Sequence, residues 1–369
     1  MTLARVRLVN FRNYEQAQVH LQQGLTLVCG GNGQGKTNLL EAVSLACTGK
    51  EIRAASDSEM IRFGQTHAIV TVELTSLLRG AMRFQVSLGP EGSEIEVNGV
   101  KRRAADLIGL VGLVLFSVED VDIVKGEPSD RRSLLDSAIG GLSRSYHWNL
   151  LRYRKVLSQR NHLLKEIREG RARERDLEAW DEPLATLGTA VMQRRIKFLS
   201  DLAGPAEQAH RNLSGRDLAL VYEPGLPGTG TREDVSKDSL VAALAKSRGE
   251  EISRGMSLLG PHRDDFRVLS AGTDLRTFGS QGEQRTAAIA LRLGTIAVVQ
   301  ERLEEPPLVL LDDVFSELDR ARREGLLEAM RRLPQVIVTC TEAGSLAGRA
   351  ASILRVENGD ISPVPAVAT

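Results

Sequence analysis

The sequence predicts an α/β fold in which mixed β lobes carry a mainly α-helical second domain inserted between the two halves of the chain. A short apolar strand at Leu25–Cys29 runs directly into a glycine-rich loop and then a helix. Strand patterns occupy residues 68 to 100, and helical periodicity dominates residues 130 to 215. Two further apolar segments, Leu308–Leu311 and Val336–Thr339, are typical of buried parallel strands.

Length and composition are those of an ordinary globular protein with more than one domain. The chain has 369 residues, 42% of them hydrophobic and 26% charged, which allows a sizeable core and about two or three domains. The 48 Lys and Arg residues balance 48 Asp and Glu residues. This neutrality excludes a wholly basic nucleic-acid binder but not a local basic patch.

The three cysteines, Cys29, Cys47 and Cys340, lie in apolar segments without a Cys-x-x-Cys pair. The pattern favours small buried hydrophobic residues over a zinc site or a disulfide framework. No apolar run approaches the ~20 residues that a membrane span needs, and the N-terminus lacks the apolar stretch of a signal peptide. We therefore expect a reduced, soluble, intracellular protein with no membrane partner.

The N-terminal part of the chain is predicted to be rich in strands. Residues 3 to 11 alternate between apolar and polar side chains, which indicates a first strand. The helix after the glycine-rich loop is expected over residues 38 to 47. The strands between 68 and 100 are separated by turns at Gly80, Gly89-Pro90 and Asn98-Gly99.

Composition changes near residue 125. Residues 125 to 200 contain 16 Lys and Arg against 10 Asp and Glu. A stretch rich in Pro and Gly at 223 to 236 predicts a loop, and a helix is expected over 237 to 248. We predict three segments: an N-terminal head part (1–124), a helical arm domain (125–255) and a C-terminal head part (256–369).

Residues 30 to 37 fit the pattern G-x-x-x-x-G-K-[ST] of a phosphate-binding loop. Glycines let backbone N–H groups turn toward a phosphate, and the following helix adds its positive N-terminal end. Lys36 is expected to reach the β- and γ-phosphates of ATP, and the Thr37 hydroxyl to bind Mg²⁺. The predicted nucleotide-binding residues are Gly30, Gly31, Asn32, Gly33, Gln34, Gly35, Lys36 and Thr37.

The apolar strand at residues 308 to 311 ends in two carboxylates, which is typical of a Walker B motif. We expect Asp312 to hold Mg²⁺, directly or through water. Asp313 follows it and is placed to orient or deprotonate the water that attacks ATP. Together with Lys36 and Thr37, these acids predict an ATPase.

The spacing of the motifs selects the class of P-loop ATPase. Lys36 and Asp312 are 276 positions apart, much farther than in a compact kinase or GTPase core. A helix start with a Ser-x-x-Glu capping box lies about 30 residues ahead of the acids. ABC-type ATPases have their signature helix there, and it faces the γ-phosphate held by a second protomer. The predicted contacts across a dimer come from Ser280, Gln281 and Gly282 of the signature and from Asp319 in the D-loop position.

Four segments together resemble the RecF family, which is related to the ATPase heads of SMC proteins. The resemblance covers nearly the whole chain, and its segments are Leu8–Tyr14, Ser257–Asp265, Ser280–Arg285 and Leu310–Asp319. It implies an ABC-type P-loop ATPase head with two lobes. It also implies a helical second domain in place of a long coiled coil.

The resemblance implies a function as well. RecF-like proteins bind ATP, dimerise on it, hydrolyse it slowly and bind DNA. The resemblance implies that they act in the bacterial cytoplasm, in DNA repair, DNA replication and the SOS response. It also implies that they act at single-strand gaps. The implied partners are RecR and RecO, with which they promote RecA loading.

Further site residues follow from the resemblance. Arg53 occupies the place of an arginine that reaches the nucleotide in SMC-like heads, and Arg12 and Asn13 are expected to flank the adenine. No glutamine stands where a Q-loop is expected, which leaves Glu119 or Asp120 as its substitute.

No switch histidine follows the last apolar strand. Thr339 or Thr341 stands in its place, and a weaker γ-phosphate sensor fits slow turnover. His262 is an alternative replacement, but the favoured interpretation is a histidine that holds the neighbouring Gly-Pro turn.

Arginine-rich segments at 144 to 155 and 168 to 175 are candidates for salt-dependent contacts to DNA phosphates, although such helices are also typical of a solvated face.

Two other functions would use the same nucleotide motifs. An SMC-type chromosome tether needs a long heptad coil and a hinge, which residues 125 to 255 do not provide. A transporter ATPase needs a transmembrane partner.

Overall fold

The computed structural model describes residues 1–49, 57–226 and 234–364. Its strands are β1 (Thr2–Phe11), β2 (Tyr14–His20), β3 (Gly24–Cys29), β4 (Ala68–Ser76), β5 (Gly80–Gly89), β6 (Gly92–Val97), β7 (Val100–Arg102), β8 (Leu113–Ser117), β9 (Ala219–Glu223), β10 (Asp265–Ser270), β11 (Thr273–Asp274), β12 (Leu308–Asp312), β13 (Gln335–Cys340), β14 (Ser352–Glu357) and β15 (Asp360–Pro363). Its helices are α1 (Lys36–Thr48), α2 (Asp57–Met60), α3 (Asp122–Lys125), α4 (Pro128–Leu142), α5 (Arg144–Arg168), α6 (Glu178–Ser214), α7 (Lys237–Arg254), α8 (Leu275–Phe278), α9 (Gln281–Leu303) and α10 (Arg320–Met330).

The chain forms two compact units. Unit 1 consists of Met1–Asp120, Asn212–Gly215 and Ile289–Thr369, and unit 2 of Val121–Arg211 and Arg216–Ala288. The domain boundaries expected at 125 and 255 remain a prediction. Unit 2 begins at Val121, close to the boundary expected at 125, and continues to Ala288, well beyond the boundary expected at 255.

The first sheet of unit 1 is antiparallel, with strand order β2-β1-β4-β5-β6-β7. Apolar side chains alternate along its strands and face one core, so Val6 of β1 pairs with Val72 of β4, and Val72 in turn with Phe84 of β5. The expected turn between β6 and β7 is present, with positive φ at Asn98 (52°) and Gly99 (76°).

The second sheet of unit 1 carries the chemistry, with strand order β15-β14-β3-β13-β12-β8. Strands β14, β3, β13, β12 and β8 are parallel neighbours, and β15 is antiparallel. Every residue of β12 and β13 is buried, as expected for central parallel strands. The carboxyl ends of parallel strands meet at one edge, so Cys29, Asp312 and Cys340 all lie there.

Unit 2 combines the helices α3 to α8 and the start of α9 with a three-stranded antiparallel sheet of order β11-β10-β9. Strand β9 precedes the loop expected at 223 to 236 and pairs with β10, which lies about 45 positions further along the chain. Helix α7 begins as expected but ends at Arg254, not at 248. Gly249 is helix interior, and Gly255, with φ of 67°, is the residue that caps the helix.

A fully buried arginine supports the helices of unit 2. The Arg160 guanidinium donates to Asp181 Oδ1 (2.9 Å), Glu251 Oε2 (2.7 Å) and Ser257 Oγ (2.8 Å). Each carboxylate in this cluster has a matched donor, so the charges are compensated inside the unit.

Two features of the helices bear on the alternative functions, an SMC-type chromosome tether and a transporter ATPase. The longest described helix is α6, with 37 residues and two internal prolines, Pro183 and Pro205. No helix in the described part of the chain has the length and apolar character required to cross a membrane.

Candidate functional site

The phosphate-binding loop connects β3 to α1, and geometry requires three of its four glycines. A Cβ atom added to Gly30 would lie 2.3 Å from the Val356 carbonyl oxygen. Gly33 and Gly35 have φ of 77° and 116°, in the region that other residues adopt only with strain. The sequence motif therefore reflects the backbone path of the loop.

Groups from outside the motif hold the loop in place. Asn13 Nδ2 donates to the Gln34 carbonyl oxygen (2.7 Å), and the Tyr14 hydroxyl donates to the Gly35 carbonyl oxygen (2.8 Å). The Asn358 backbone N–H donates to Gln34 Oε1 (2.6 Å). The loop motif does not predict that Tyr14 or Asn358 supports the loop, because neither residue belongs to the motif.

Lys36 lies inside the loop. Its ammonium group donates to the carbonyl oxygens of Gly30 (2.7 Å) and Gly31 (2.9 Å), and only 7% of the residue is exposed. An ammonium has three donors, so these bonds fix its position while leaving it able to contact an anion held by the loop. This position is compatible with a role in phosphate binding, which remains a prediction.

Thr37 and Asp312 meet at the carboxyl edge of the parallel sheet. The Thr37 hydroxyl donates to Asp312 Oδ1 (2.9 Å), although 275 positions separate the two residues. Asp312 is 7% exposed. A hydroxyl and a carboxylate are hard oxygen ligands, and Mg²⁺ in phosphate sites takes few protein ligands besides water and phosphate oxygens. Among the described residues no group of three or more His, Cys, Asp or Glu side chains could hold a metal ion.

Asp313 has an unusual backbone conformation beside Asp312. Its φ is 53°, and its N–H donates to the Thr339 hydroxyl (2.9 Å). Burial raises the pKa of its carboxyl, with the Lys36 ammonium opposing and the neighbouring Asp312 carboxylate adding to that rise. A carboxylate with a raised pKa is a better proton acceptor, which suits the predicted general base.

Thr339 has a different place from the one expected of a γ-phosphate sensor. It is fully buried, and its hydroxyl donates to Asp312 Oδ1 (2.8 Å) while accepting from the Asp313 N–H. The Thr339 hydroxyl therefore holds the Asp312 carboxylate as a donor and the Asp313 backbone as an acceptor. Thr341 is exposed and remains the predicted sensor.

The two candidates for the Q-loop position differ in their surroundings. Arg292 donates twice to Asp120, at 2.9 and 2.6 Å, and the Ser117 N–H donates to the same carboxylate (3.0 Å). Asp120 therefore serves as a buried ion-pair partner, which argues against its use as a second magnesium ligand. Glu119 is exposed and remains the predicted substitute.

A cavity of about 700 Å³ lies beside the phosphate-binding loop, lined by Arg12, Asn13, Asn38, Ser58, Glu59, Ile61, Arg62, Phe63, Gly64 and Gln65. The Arg12 guanidinium is held at its edge by Glu41 Oε2 (3.1 Å) and the Glu59 carbonyl oxygen (2.9 Å). The Phe63 side chain is fully exposed. The role of Arg12 and Asn13 at the adenine thus remains a prediction, and Arg53 lies outside the described residues.

The predicted signature lies in unit 2 and has the expected helix-start geometry. The Ser280 N–H donates to Glu283 Oε2 (2.9 Å), and the Glu283 N–H donates to Ser280 Oγ (3.3 Å), which forms a capping box. Ser280 and Gln281 are exposed, and Gly282 is partly exposed. The structure therefore confirms the capped helix start, and contact with a nucleotide on another copy remains a prediction.

Asp319 begins α10. Its Oδ1 accepts from the Arg322 N–H (2.9 Å), and its side chain also pairs with the Arg322 guanidinium. Asp319 is thus a helix N-cap on an exposed surface, a position that is compatible with the predicted D-loop role.

His262 packs inside unit 2 and holds the turn that contains Gly260 and Pro261. Its Nε2 donates to the Ser257 carbonyl oxygen (3.1 Å), so its Nδ1 accepts from the Tyr153 hydroxyl (2.6 Å). Burial lowers the pKa of this imidazole from 6.5 to about 4. This structural role agrees with the interpretation that the sequence favoured.

The depressed pKa of His262 predicts acid sensitivity. Below pH 6.5 the unfolded chain binds a proton that the folded chain excludes, so the free energy of unfolding should fall by about 1.4 kcal/mol per pH unit toward pH 4. Urea unfolding between pH 4 and 7.5 measures this slope. In His262→Gln the slope should flatten, and the exposed His20→Gln variant should keep it. Equal slopes in all three proteins would contradict the assignment.

Comparisons with known proteins place this geometry in a family. The family model described as RecF/RecN/SMC N terminal domain matches residues 2–360. A protein named DNA replication and repair protein RecF from Halothermothrix orenii is 37% identical over 348 residues, which are 93% of this chain and 92% of that protein. The chain belongs to the RecF family. A RecF protein from Bacillus subtilis is 35% identical over 97% of this chain and 99% of its own length.

Solved structures agree with the RecF assignment. A structure described as the recombination mediator protein RecF-ATPrS in RecFOR pathway has a TM-score of 0.91 at 31% identity, covering 98% of both chains. An Smc head domain from Pyrococcus furiosus has a TM-score of 0.57 at 17% identity, which supports the fold alone. The expected fold class, an ABC-type ATPase head with mixed β lobes and helical content, is confirmed for this RecF-family chain.

Proposed function

We propose that this chain is an ATP-dependent DNA-binding protein of recombinational repair and replication restart. ATP joins two copies on DNA at single-strand gaps, and slow hydrolysis separates them. The observation that carries the proposal is the convergence of Lys36, Thr37, Asp312 and Asp313 at one sheet edge. The names of relatives support it, since they are called DNA replication and repair proteins and a recombination mediator of the RecFOR pathway. RecR, RecO and the RecA pathway are therefore the proposed partners.

The loop binds the triphosphate of ATP through its backbone N–H groups and the N-terminus of α1. Lys36 supplies a fixed positive charge that contacts the phosphate oxygens. Asn13 and Tyr14 hold the carbonyl oxygens of Gln34 and Gly35, which keeps the loop in its binding conformation. The adenosine occupies the neighbouring cavity, where Phe63 offers an aromatic face and Arg12 a held guanidinium.

Hydrolysis uses the two acids in different ways. Thr37 and Asp312 would hold Mg²⁺, which would supply positive charge to neutralise the phosphates. Asp313 accepts a proton from the attacking water, and the Thr339 hydroxyl fixes the Asp312 carboxylate and the backbone N–H of Asp313. We propose that the absence of a histidine after β13 limits the rate, so that hydrolysis acts as a timer.

The second copy completes the site. The start of α9, with Ser280, Gln281 and Gly282, directs a helix N-terminus and an exposed hydroxyl toward the nucleotide of the partner, and Asp319 lies at the interface.

Static light scattering tests the ATP-dependent dimer directly. The molar mass should double when ATP and Mg²⁺ are added together, and an unchanged mass would contradict the proposal.

Helix α5 offers a surface for DNA although the whole chain is neutral. Residues 144 to 165 contain no Asp or Glu. Trp148 is 50% exposed, and Arg152 and Lys155 lie on the same helix face, one and two turns further along. Neither cation has an ion-pair partner among the described residues. We therefore place single-stranded DNA here, with a base stacked on Trp148 and phosphates on the two cations.

The α5 surface predicts a specific binding defect. Trp148→Ala should weaken the binding of a single-stranded oligonucleotide about tenfold, and Arg152→Gln with Lys155→Gln should reduce the slope of log K against log salt by about 1.4. Fluorescence anisotropy across a salt series measures both. Arg211→Gln removes an exposed cation that Glu207 already neutralises and should change neither value. Unaltered binding by both α5 variants would place the DNA elsewhere.

A further inference from the structure

Two cysteines face each other directly beneath the phosphate-binding loop. Cys29 ends β3 and Cys340 ends β13, and the two are paired in register in the parallel sheet. Their sulfur atoms are 3.2 Å apart. The Gly30 N–H donates to the Cys340 carbonyl oxygen (3.2 Å), so the pair is linked to the first residue of the loop. The sequence could only predict buried, isolated cysteines.

The two sulfurs are chemically unequal. The hydrogen bond from the Cys340 thiol lowers the pKa of Cys29, burial opposes that shift, and the Lys36 ammonium adds to it. The same hydrogen bond and burial raise the pKa of Cys340. A thiolate is the reactive form of cysteine, so Cys29 is the better nucleophile of the pair.

The third cysteine provides an internal reference. Cys29 keeps 9% of its surface exposed and Cys340 6%, at the edge where the loop begins. Cys47 is 1% exposed within the core of unit 1, and burial raises its pKa to about 12. Exposure and neighbouring charge therefore distinguish the pair from an ordinary core cysteine.

We propose that Cys29 and Cys340 form a site of thiol oxidation that switches off the nucleotide site. The oxidant is a hydroperoxide. The Cys29 thiolate attacks a peroxide oxygen, the O–O bond breaks, and Cys29 becomes a sulfenic acid. The Cys340 sulfur then attacks the Cys29 sulfur, a disulfide forms, and water leaves. In total, two thiols lose two electrons and two protons to one H₂O₂, which gives two waters.

Disulfide formation acts on the loop through the strand ends. A disulfide bond is about 2.05 Å long, so the sulfurs have to approach by roughly 1 Å. Cys29 is followed immediately by Gly30, whose carbonyl oxygen holds the Lys36 ammonium. A shift of the strand ends therefore displaces the backbone that binds phosphate. This inference rests on the proposed ATP site.

Peptide mapping tests the oxidation itself. Trypsin separates the three cysteines into the peptides 13–36, 37–50 and 333–349. After treatment with H₂O₂ and digestion without reductant, mass spectrometry should show 13–36 joined to 333–349, and 37–50 unlinked. Dithiothreitol should release the two peptides. Absence of the linked pair in the treated protein would overturn the proposal.

ATP binding before and after treatment tests the consequence. Peroxide should raise the Kd for ATP at least tenfold in the parent protein and in Cys47→Ala, and dithiothreitol should restore it. Cys340→Ala should have the same Kd with and without peroxide. A linked pair that leaves the Kd unchanged would also overturn the proposal. If the reduced, untreated protein does not bind ATP, the proposed function fails instead, because the peptide mapping uses no nucleotide.

Discussion

Replacing Lys36 with alanine is expected to raise the Kd for ATP at least about 100-fold and to abolish the ATP-induced dimer. Lys36 is 7% exposed and its ammonium group is fixed by two loop carbonyl oxygens, so it contacts phosphate without first being ordered. Losing a charge-assisted contact in such a site costs about 3 kcal/mol, which corresponds to that change in affinity.

Isothermal titration calorimetry with ATP and Mg²⁺ measures the affinity, and light scattering measures the dimer. Lys197→Ala is a matched control, because it removes an exposed lysine that pairs with Asp201 in unit 2. DNA binding across a salt series should lose only its ATP-dependent part in Lys36→Ala. Unfolding by urea should be little changed, so that a folding defect can be separated from a binding defect. An ATP affinity within threefold of the parent would contradict the assignment of the loop.

The nucleotide motifs could be predicted from the sequence because their chemistry is encoded locally. A glycine with φ of 116° and a lysine that turns back on the loop require particular residues within eight positions. The supports of the loop could not be predicted in the same way. Asn358 contacts Gln34 over a separation of 324 residues, and only the fold brings them together.

The sequence also could not predict the contacts of polar residues that have several possible partners. Asp120 and Thr339 were candidates for catalytic contacts, yet one is bound by Arg292 and the other orients Asp312. Both roles depend on neighbouring strands and helices, not on adjacent sequence. Helix α7 continues past the end expected at 248, because Glu251 is buried in unit 2 and this packing overrides the low helix propensity of Gly249.

The proposed dimer divides each catalytic site between two copies of the chain. Lys36, Asp312 and Asp313 belong to unit 1, whereas Ser280 belongs to unit 2. Asp313→Asn removes the proton acceptor but leaves the loop and Thr37 intact. Ser280→Arg replaces the small exposed hydroxyl with a bulky cation at the helix start. Each variant alone is expected to retain below about 1% of the parent ATPase rate.

Mixing the two inactive variants should restore activity. In a mixed dimer, one site combines both defects, and the other combines the intact Asp313 of one copy with the intact Ser280 of the other. Random pairing of equal amounts makes half of the dimers mixed, each with one working site, so roughly a quarter of the parent ATPase rate is expected. Phosphate release measured against mixing ratio should peak at equal amounts. If both residues serve a nucleotide on their own chain, every mixture stays inactive, and the composite site would be refuted.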